Sequence, residues 1–146
     1  MTRSKIVGLS QARSLAERLR RGGKKIVFTN GTFDLLHAGH VDYLQKAKKL
    51  GDVLVIGVNT DASVKKYKSP NRPLNPLRDR LRVLTALACV DYAVAFGEPT
   101  PLKLILKIKP DVLAKGADWK KSEKWSRGAA ESKGSGLSRG ARRRAC

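Results

Sequence analysis

The run 52-DVLVIGVN-59 constrains the fold more than any other stretch, since five of its eight residues are Val, Leu or Ile and none of the five is separated from the next by a polar side chain. A strand with one solvated face alternates apolar and polar residues. A strand without that alternation is covered on both faces, as strands in parallel sheets are. Parallel neighbours cannot be joined by a tight turn and need crossover segments, most often helices. The rest of the chain supplies them. The segment 10-SQARSLAERLRRGG-23 predicts an amphipathic leader helix with Ser10 as N-cap, apolar residues at 15, 16 and 19, and a two-glycine end. A first core strand follows in 24-KKIVFT-29, and Val41, Leu44, Ala47 and Leu50 mark one face of a helix from about Gly39 to Leu50.

Beyond the central run, 65-KKYKSPNRPLNP-76 reads as a polar loop with three prolines and four Lys/Arg, and 77-LRDRLRVLTALA-88 returns to helical spacing. A third strand is expected in 90-VDYAVAF-96, a short helix in 101-PLKLILKIK-109 and a fourth strand in 111-DVLAKG-116. This alternation predicts an α/β domain: a Rossmann-like parallel sheet with helices on both faces. The expected division is a leader helix in residues 1–23, the α/β domain in 24–119 and a basic tail in 120–146. In that tail the only large apolar residues are Trp125 and Leu137, so too little surface can be buried to offset ordering, and disorder is expected.

Charge and length narrow the functional classes. The formal net charge of +19 invites a nucleic-acid reading, but residues 120–146 alone hold +7 of it. The remainder suits a small polyphosphate ligand as well, which argues against a dedicated nucleic-acid binder. The longest apolar-rich run, 83-VLTALACVDYAVAF-96, is interrupted by Asp91 and is too short to span a bilayer. No signal-peptide core opens the chain, so a cytoplasmic protein without a membrane partner is expected. Two cysteines, Cys89 and Cys146, suggest no disulfide framework.

Chemistry concentrates in 31-GTFDLLHAGH-40, which holds both histidines of the chain. Open α/β sheets bind ligands beyond the C-terminal ends of their strands, and residues 30–40 occupy such a place. Gly31 would let the backbone leave the strand tightly, and Gly39 would let a ligand approach the first turn of the following helix. The amides of that helix tip form a natural anion site. His37 and His40 would hang over the same spot and donate hydrogen bonds to phosphoryl oxygens. Spacing alone leaves other readings open: a capping or solvated histidine, or a metal pair, although no cysteine or third histidine lies nearby.

The surroundings carry a resemblance. The stretch 28-FTNGTFDLLHAGHVDYLQKAKKLGDVLVIGVNTDASV-64 is similar to the nucleotidyltransferases of the cytidylyltransferase type, with their H-x-G-H motif after a G-x-F-D turn. The further motifs 59-NTDASVKKYK-68, 72-RPLNPLRDRLRVL-84, 98-EPTP-101 and 110-PDVLAKGADW-119 resemble the heptose-1-phosphate adenylyltransferase branch, with glycerol-3-phosphate cytidylyltransferase the nearest rival. The resemblance implies transfer of AMP from ATP to a sugar 1-phosphate with release of pyrophosphate; the rival implies CTP. A basic phosphate- or nucleic-acid-binding protein without catalysis is the alternative of another class.

Carried over by position, the resemblance assigns Thr32 and Phe33 to nucleotide contact, and His37 and His40 to the triphosphate. It also places Lys68 and Arg80 on the phosphates. Asp34 reads better as a turn-fixing residue, and for Arg80 the alternative is an ion pair with Asp79 or Asp91. Lys115, Gly116, Asp118 and Trp119 fall where the family reads the nucleoside. Mg2+ would arrive on the triphosphate with few or no protein ligands. The family often forms dimers, and its heptose branch is often fused behind a sugar kinase domain, so a homodimer and a separate kinase are the partners implied. One departure stands out: the family's Ser-Thr-Thr motif does not occur after residue 119, and 137-LSRG-140 replaces it poorly. The expectation is that the native C-terminal part was truncated or replaced near residues 120–125, at a cost to activity.

Overall fold

A computed structural model describes residues 4–114. Five strands form one parallel sheet in the order β1-β4-β3-β2-β5, built from β1 (Ile6–Val7), β2 (Ile26–Gly31), β3 (Val53–Asn59), β4 (Tyr92–Phe96) and β5 (Val112–Leu113). The connecting helices are α1 (Ala12–Arg21), α2 (Ala38–Lys48), α3 (Asp61–Tyr67), α4 (Leu77–Thr85) and α5 (Leu102–Ile108). The expected α/β sheet with helices on both faces is therefore present. All seven residues of β3 are buried, as its unbroken apolar run requires.

Successive side chains of a strand point to opposite faces, so each strand serves two cores. Leu54, Ile56 and Val58 pack with Leu44 of α2 and Leu84 of α4. Val53 and Val55 pack on the other face with Ala16 of α1 and Leu104 and Ile108 of α5. Gly57 interrupts the β3 run for a packing reason. A Cβ there would lie 2.8 Å from Phe28 Cζ, so the phenyl ring crosses the strand where glycine leaves room.

Three aspartates fix the strand starts. Asp52 accepts a hydrogen bond from the Lys25 amide at 2.7 Å, Asp111 from Ile26 at 2.8 Å and Asp91 from Leu54 at 2.7 Å. Each carboxylate stands just before one strand and satisfies an amide at the start of its neighbour, which also pins the register.

Several local expectations change. Residues 6–7 join the sheet as an edge strand beside β4, a pairing that two apolar residues cannot announce. Ser10 does not cap α1; a 3-10 turn, Leu9–Gln11, leads into the helix, and no side chain caps it. The two-glycine end is present: Gly23 takes a left-handed φ of 78° and the Lys24 amide reaches the Leu19 carbonyl at 3.0 Å. Residues 65–67 belong to α3 rather than to a loop. The signal for it is Thr60, whose hydroxyl accepts from the Ser63 amide at 3.3 Å as an N-cap. Among the described residues no helix is long and apolar enough to cross a membrane. The expected tail, residues 120–146, lies outside the described residues.

Strand order decides where a ligand can sit. From β2 the chain moves to β3 and β4 on one side, then returns to place β5 on the other side of β2. The crevice at such a reversal, beyond the C-terminal ends of β2 and β5, is where open α/β sheets bind ligands. The segment leaving β2 there is residues 32–37.

Candidate active site

The path of residues 31–33 sets the site. Phe33 adopts a φ of 51°, a left-handed conformation that costs an aromatic residue energy and persists only where the surroundings enforce it. The residue is 8 % exposed, and its ring folds back over Gly31, where a Cβ would lie 3.0 Å from Phe33 Cε2. Gly31 is thus required for room, not for an unusual backbone angle. The same ring meets His40 edge-on, with centroids 5.7 Å apart.

His37 and His40 hold each other at the tip of α2. The Nδ1 atom of His37 accepts from the Gly39 amide at 3.1 Å, and Nδ1 of His40 accepts from the His37 amide at 3.3 Å. The arrangement is a capping box made of imidazoles. The ring centroids are 4.0 Å apart. Because both Nδ1 atoms accept, each neutral ring carries its proton on Nε2 and can donate from there.

Two expectations are corrected by this geometry. Two amides of the helix tip are already bonded within the turn, Gly39 to His37 Nδ1 and His40 to the His37 carbonyl. The donor offered outward is therefore an imidazole rather than those amides. Nor does Gly39 admit a ligand, since its open side is filled by His37, whose Cε1 would lie 2.9 Å from a Cβ at that position.

Asp34 fixes the turn, as expected. Its carboxylate accepts from the amides of Leu74 at 2.8 Å and Asn75 at 2.9 Å and from Arg72 Nη1 at 3.1 Å, tying residues 72–75 to the segment before α2. Burial by itself would raise the carboxyl pKa; the Leu74 and Asn75 amides and the Arg72 guanidinium outweigh it, and the value lies below the ordinary one. A depressed folded-state pKa gives stability that is complete above the unfolded value, near pH 4, and is lost as pH falls through the lower folded value. Urea unfolding of Asp34→Asn beside the parent chain is expected to show a gap of about 1–2 kcal/mol at pH 6 that closes as the parent's carboxylate protonates in more acidic solution. A gap independent of pH would contradict this account.

Arg80 differs from its expected role. It is 1 % exposed, and its guanidinium donates to the Thr32 carbonyl at 2.7 Å, the Asn75 carbonyl at 3.0 Å and Asp61 Oδ1 at 2.6 Å. The fork lies inside the protein and braces three segments instead of waiting for a phosphate. The ion pairs considered from sequence go elsewhere, Asp79 to Arg78 at 3.8 Å and Asp91 to Lys48 at 2.7 Å. Lys68 is exposed at the end of α3, and among the described residues its ammonium makes no hydrogen bond or ion pair. Lys115, Gly116, Asp118 and Trp119 lie outside the described residues. No group of three or more His, Cys, Asp or Glu capable of holding a metal occurs among the described residues. A cavity of about 660 Å³ lies between the 33–36 segment and α4, lined by Phe33, Asp34 and Arg80 together with Leu35, Leu36, Asn75, Arg82 and Val83; neither histidine lines it.

A parallel sheet that reverses its strand order beside a histidine-capped helix defines an α/β protein of the H-x-G-H nucleotidyltransferase type. The chain belongs to the cytidylyltransferase-like family, whose model matches residues 28–140. Among similar proteins, the bifunctional protein HldE of a Nitratiruptor species is 58 % identical over 109 residues, covering 75 % of this chain and 24 % of the relative. That of Campylobacter concisus is 62 % identical over 104 residues, covering 71 % and 22 %. The chain thus spans about a quarter of the length of these curated relatives. The crystal structure of the lipopolysaccharide core biosynthesis protein from Thermoplasma volcanium superposes with a TM-score of 0.63 at 33 % identity, covering 76 % of this chain and 86 % of that one. Pantoate-beta-alanine ligase from Francisella tularensis, at 22 % identity and a TM-score of 0.62 over 82 % of this chain and 59 % of its own, shares the fold.

Proposed function

We propose that the chain is an adenylyltransferase that moves AMP from ATP to a sugar 1-phosphate, heptose 1-phosphate in particular. The observation that supports the reading is the capping of α2 by His37 and His40, in which both Nδ1 atoms accept backbone amides and leave Nε2 as the protonated ring nitrogen. The high identity to bifunctional HldE proteins and the likeness to a lipopolysaccharide core biosynthesis protein support heptose as the sugar.

In the proposed reaction an ionised phosphate oxygen of the sugar attacks the α-phosphorus of ATP. The bond from that phosphorus to the bridging oxygen breaks, and pyrophosphate leaves with the electron pair. The nucleophile is already anionic, so no strong general base is needed. The protein aligns two anions and stabilises charge on the bridging and equatorial oxygens. His37 and His40 are assigned to those oxygens. Lys68, on the segment following α3, is assigned to the triphosphate, where loop closure would bring its charge. Magnesium enters with ATP as part of the substrate. Thr32, Phe33 and residues 115–119 are assigned to the nucleoside. A kinase that phosphorylates the sugar anomeric oxygen is the partner such a substrate requires.

The test is pyrophosphate release with ATP or CTP against heptose 1-phosphate and glycerol 3-phosphate. Release with ATP and heptose 1-phosphate at the highest kcat/KM is expected. Preference for CTP and glycerol 3-phosphate would move the chain to the rival branch, and no release with any pair would leave a non-catalytic phosphate binder. The absolute rate also reads the effect of the 120–146 segment, which lacks the Ser-Thr-Thr motif.

A further inference from the structure

One buried polar chain is unused by the reaction outlined above. On β2, Thr29 is 1 % exposed, and its hydroxyl is hydrogen-bonded to the phenol oxygen of Tyr43 on α2. The Tyr43 hydroxyl in turn donates to the carbonyl of Ala114 at 3.0 Å. With the phenolic proton on Ala114, the Thr29 hydroxyl is the donor to Tyr43. The bonds then run in one direction and reinforce each other.

The three residues come from three elements that meet at the strand-order reversal. Thr29 belongs to the strand that leads into the histidine segment. Tyr43 lies one helical turn beyond His40, on the helix that His37 caps. Ala114 directly follows β5, and its amide donates to the Phe28 carbonyl at 2.9 Å. That amide bond fixes Ala114 to the neighbouring strand. The Tyr43 bond alone among these ties it to the helix carrying the histidines.

We infer that Tyr43 is a positioning residue for nucleotide binding, holding the end of β5 at a fixed distance from the histidine-bearing helix so that one ligand spans both. The inference rests on the nucleotide reading proposed above. A phenol suits the task because its rigid ring crosses from the helix to the strand with little freedom to lose. Its hydroxyl both accepts and donates.

Two variants separate positioning from mere stability. Tyr43→Phe removes the hydroxyl and frees the Ala114 carbonyl; Thr29→Val removes one buried hydrogen bond but leaves Tyr43 bonded to Ala114. ATP with magnesium is titrated into each full chain, and amide hydrogen exchange is followed at residues 112–114. Tyr43→Phe is expected to bind ATP about fivefold more weakly, the size of one neutral hydrogen bond, with faster exchange at 112–114. Its KM for ATP should rise by the same factor while kcat at saturation changes by less than about twofold. Thr29→Val should bind ATP within about twofold of the parent. Unchanged exchange in Tyr43→Phe overturns the inference, as does faster exchange with unaltered ATP affinity. Equal weakening by both variants would overturn it too, since the effect would then be general loosening. A parent chain that binds ATP but releases no pyrophosphate defeats the transfer reaction alone, whereas one that binds no ATP defeats both.

Discussion

Replacing His40 with alanine is expected to lower turnover by about 10²- to 10³-fold while the chain stays folded, the range found when one preorganised donor to a developing anion is removed. The loss should fall mainly on kcat. The charge that an Nε2 proton stabilises grows on the bridging and equatorial oxygens during transfer, so the interaction is stronger in the transition state than in the ground state. The fold should tolerate the change, because His40 is half-buried and its Nδ1 bond to the His37 amide is exposed to solvent. Pyrophosphate release measured beside circular dichroism and a melting curve decides the matter. Near-normal release from a folded His40→Ala chain would remove the residue from the reaction. His37 needs a different substitution, since it also caps α2 through Gly39. Asparagine at 37 can keep the cap while withdrawing Nε2, so His37→Asn separates the two roles where alanine would merge them.

Replacing Arg80 with alanine is expected to cost about 3 kcal/mol of stability, because a buried ionic cluster loses one partner and others are left unpaired. Asp61 is 42 % exposed on its side chain and can be rehydrated, which limits the cost of Arg80→Ala, whereas Asp61→Asn leaves the buried guanidinium without its counter-charge and should cost about as much. The carbonyls of Thr32 and Asn75 sit at the part-buried end of the same fork and lose their donors. Lysine should not rescue the site, since one ammonium on a flexible stem cannot serve three acceptors that a planar fork meets at once. Urea midpoints at unchanged m measure these differences. An Arg80→Ala chain within about 0.5 kcal/mol of the parent would mean that the three segments are held by packing alone. Activity should fall with stability in this variant, because the Thr32 carbonyl is one anchor of the turn that aims Phe33 at His40.

How far the sequence could be read follows from how local each cause is. The β3 run and the α2 stripe are written in neighbouring residues, and the structure buries all of β3 and, of the stripe, Leu44 and Ala47, with Val41 and Leu50 partly covered. The G-x-F-D turn and the histidine pair are local too: Asp34 anchors the turn, and His37 and His40 meet at the helix tip. The partners of Asp34 lie about 40 residues away, and nothing near position 34 names Leu74 or Asn75 as donors. Arg80 shows the limit more sharply. An arginine at a regularly spaced helix position looks like a free cation, and only its 48-residue reach to Thr32 reveals a buried brace. For α3 the information is present in Thr60, but the Lys- and Pro-rich residues just after it suggest a loop.

The sequence by itself determined the parallel sheet, its crossovers and the presence of an imidazole pair at a helix start, because periodicity and short-range capping act over a few residues. Only the tertiary structure decided which glycines leave room for rings, which cation is buried and which two strands flank the crevice. Those outcomes depend on atoms brought together from distant positions, where excluded volume and the pairing of buried polar groups, rather than local preference, set the energy.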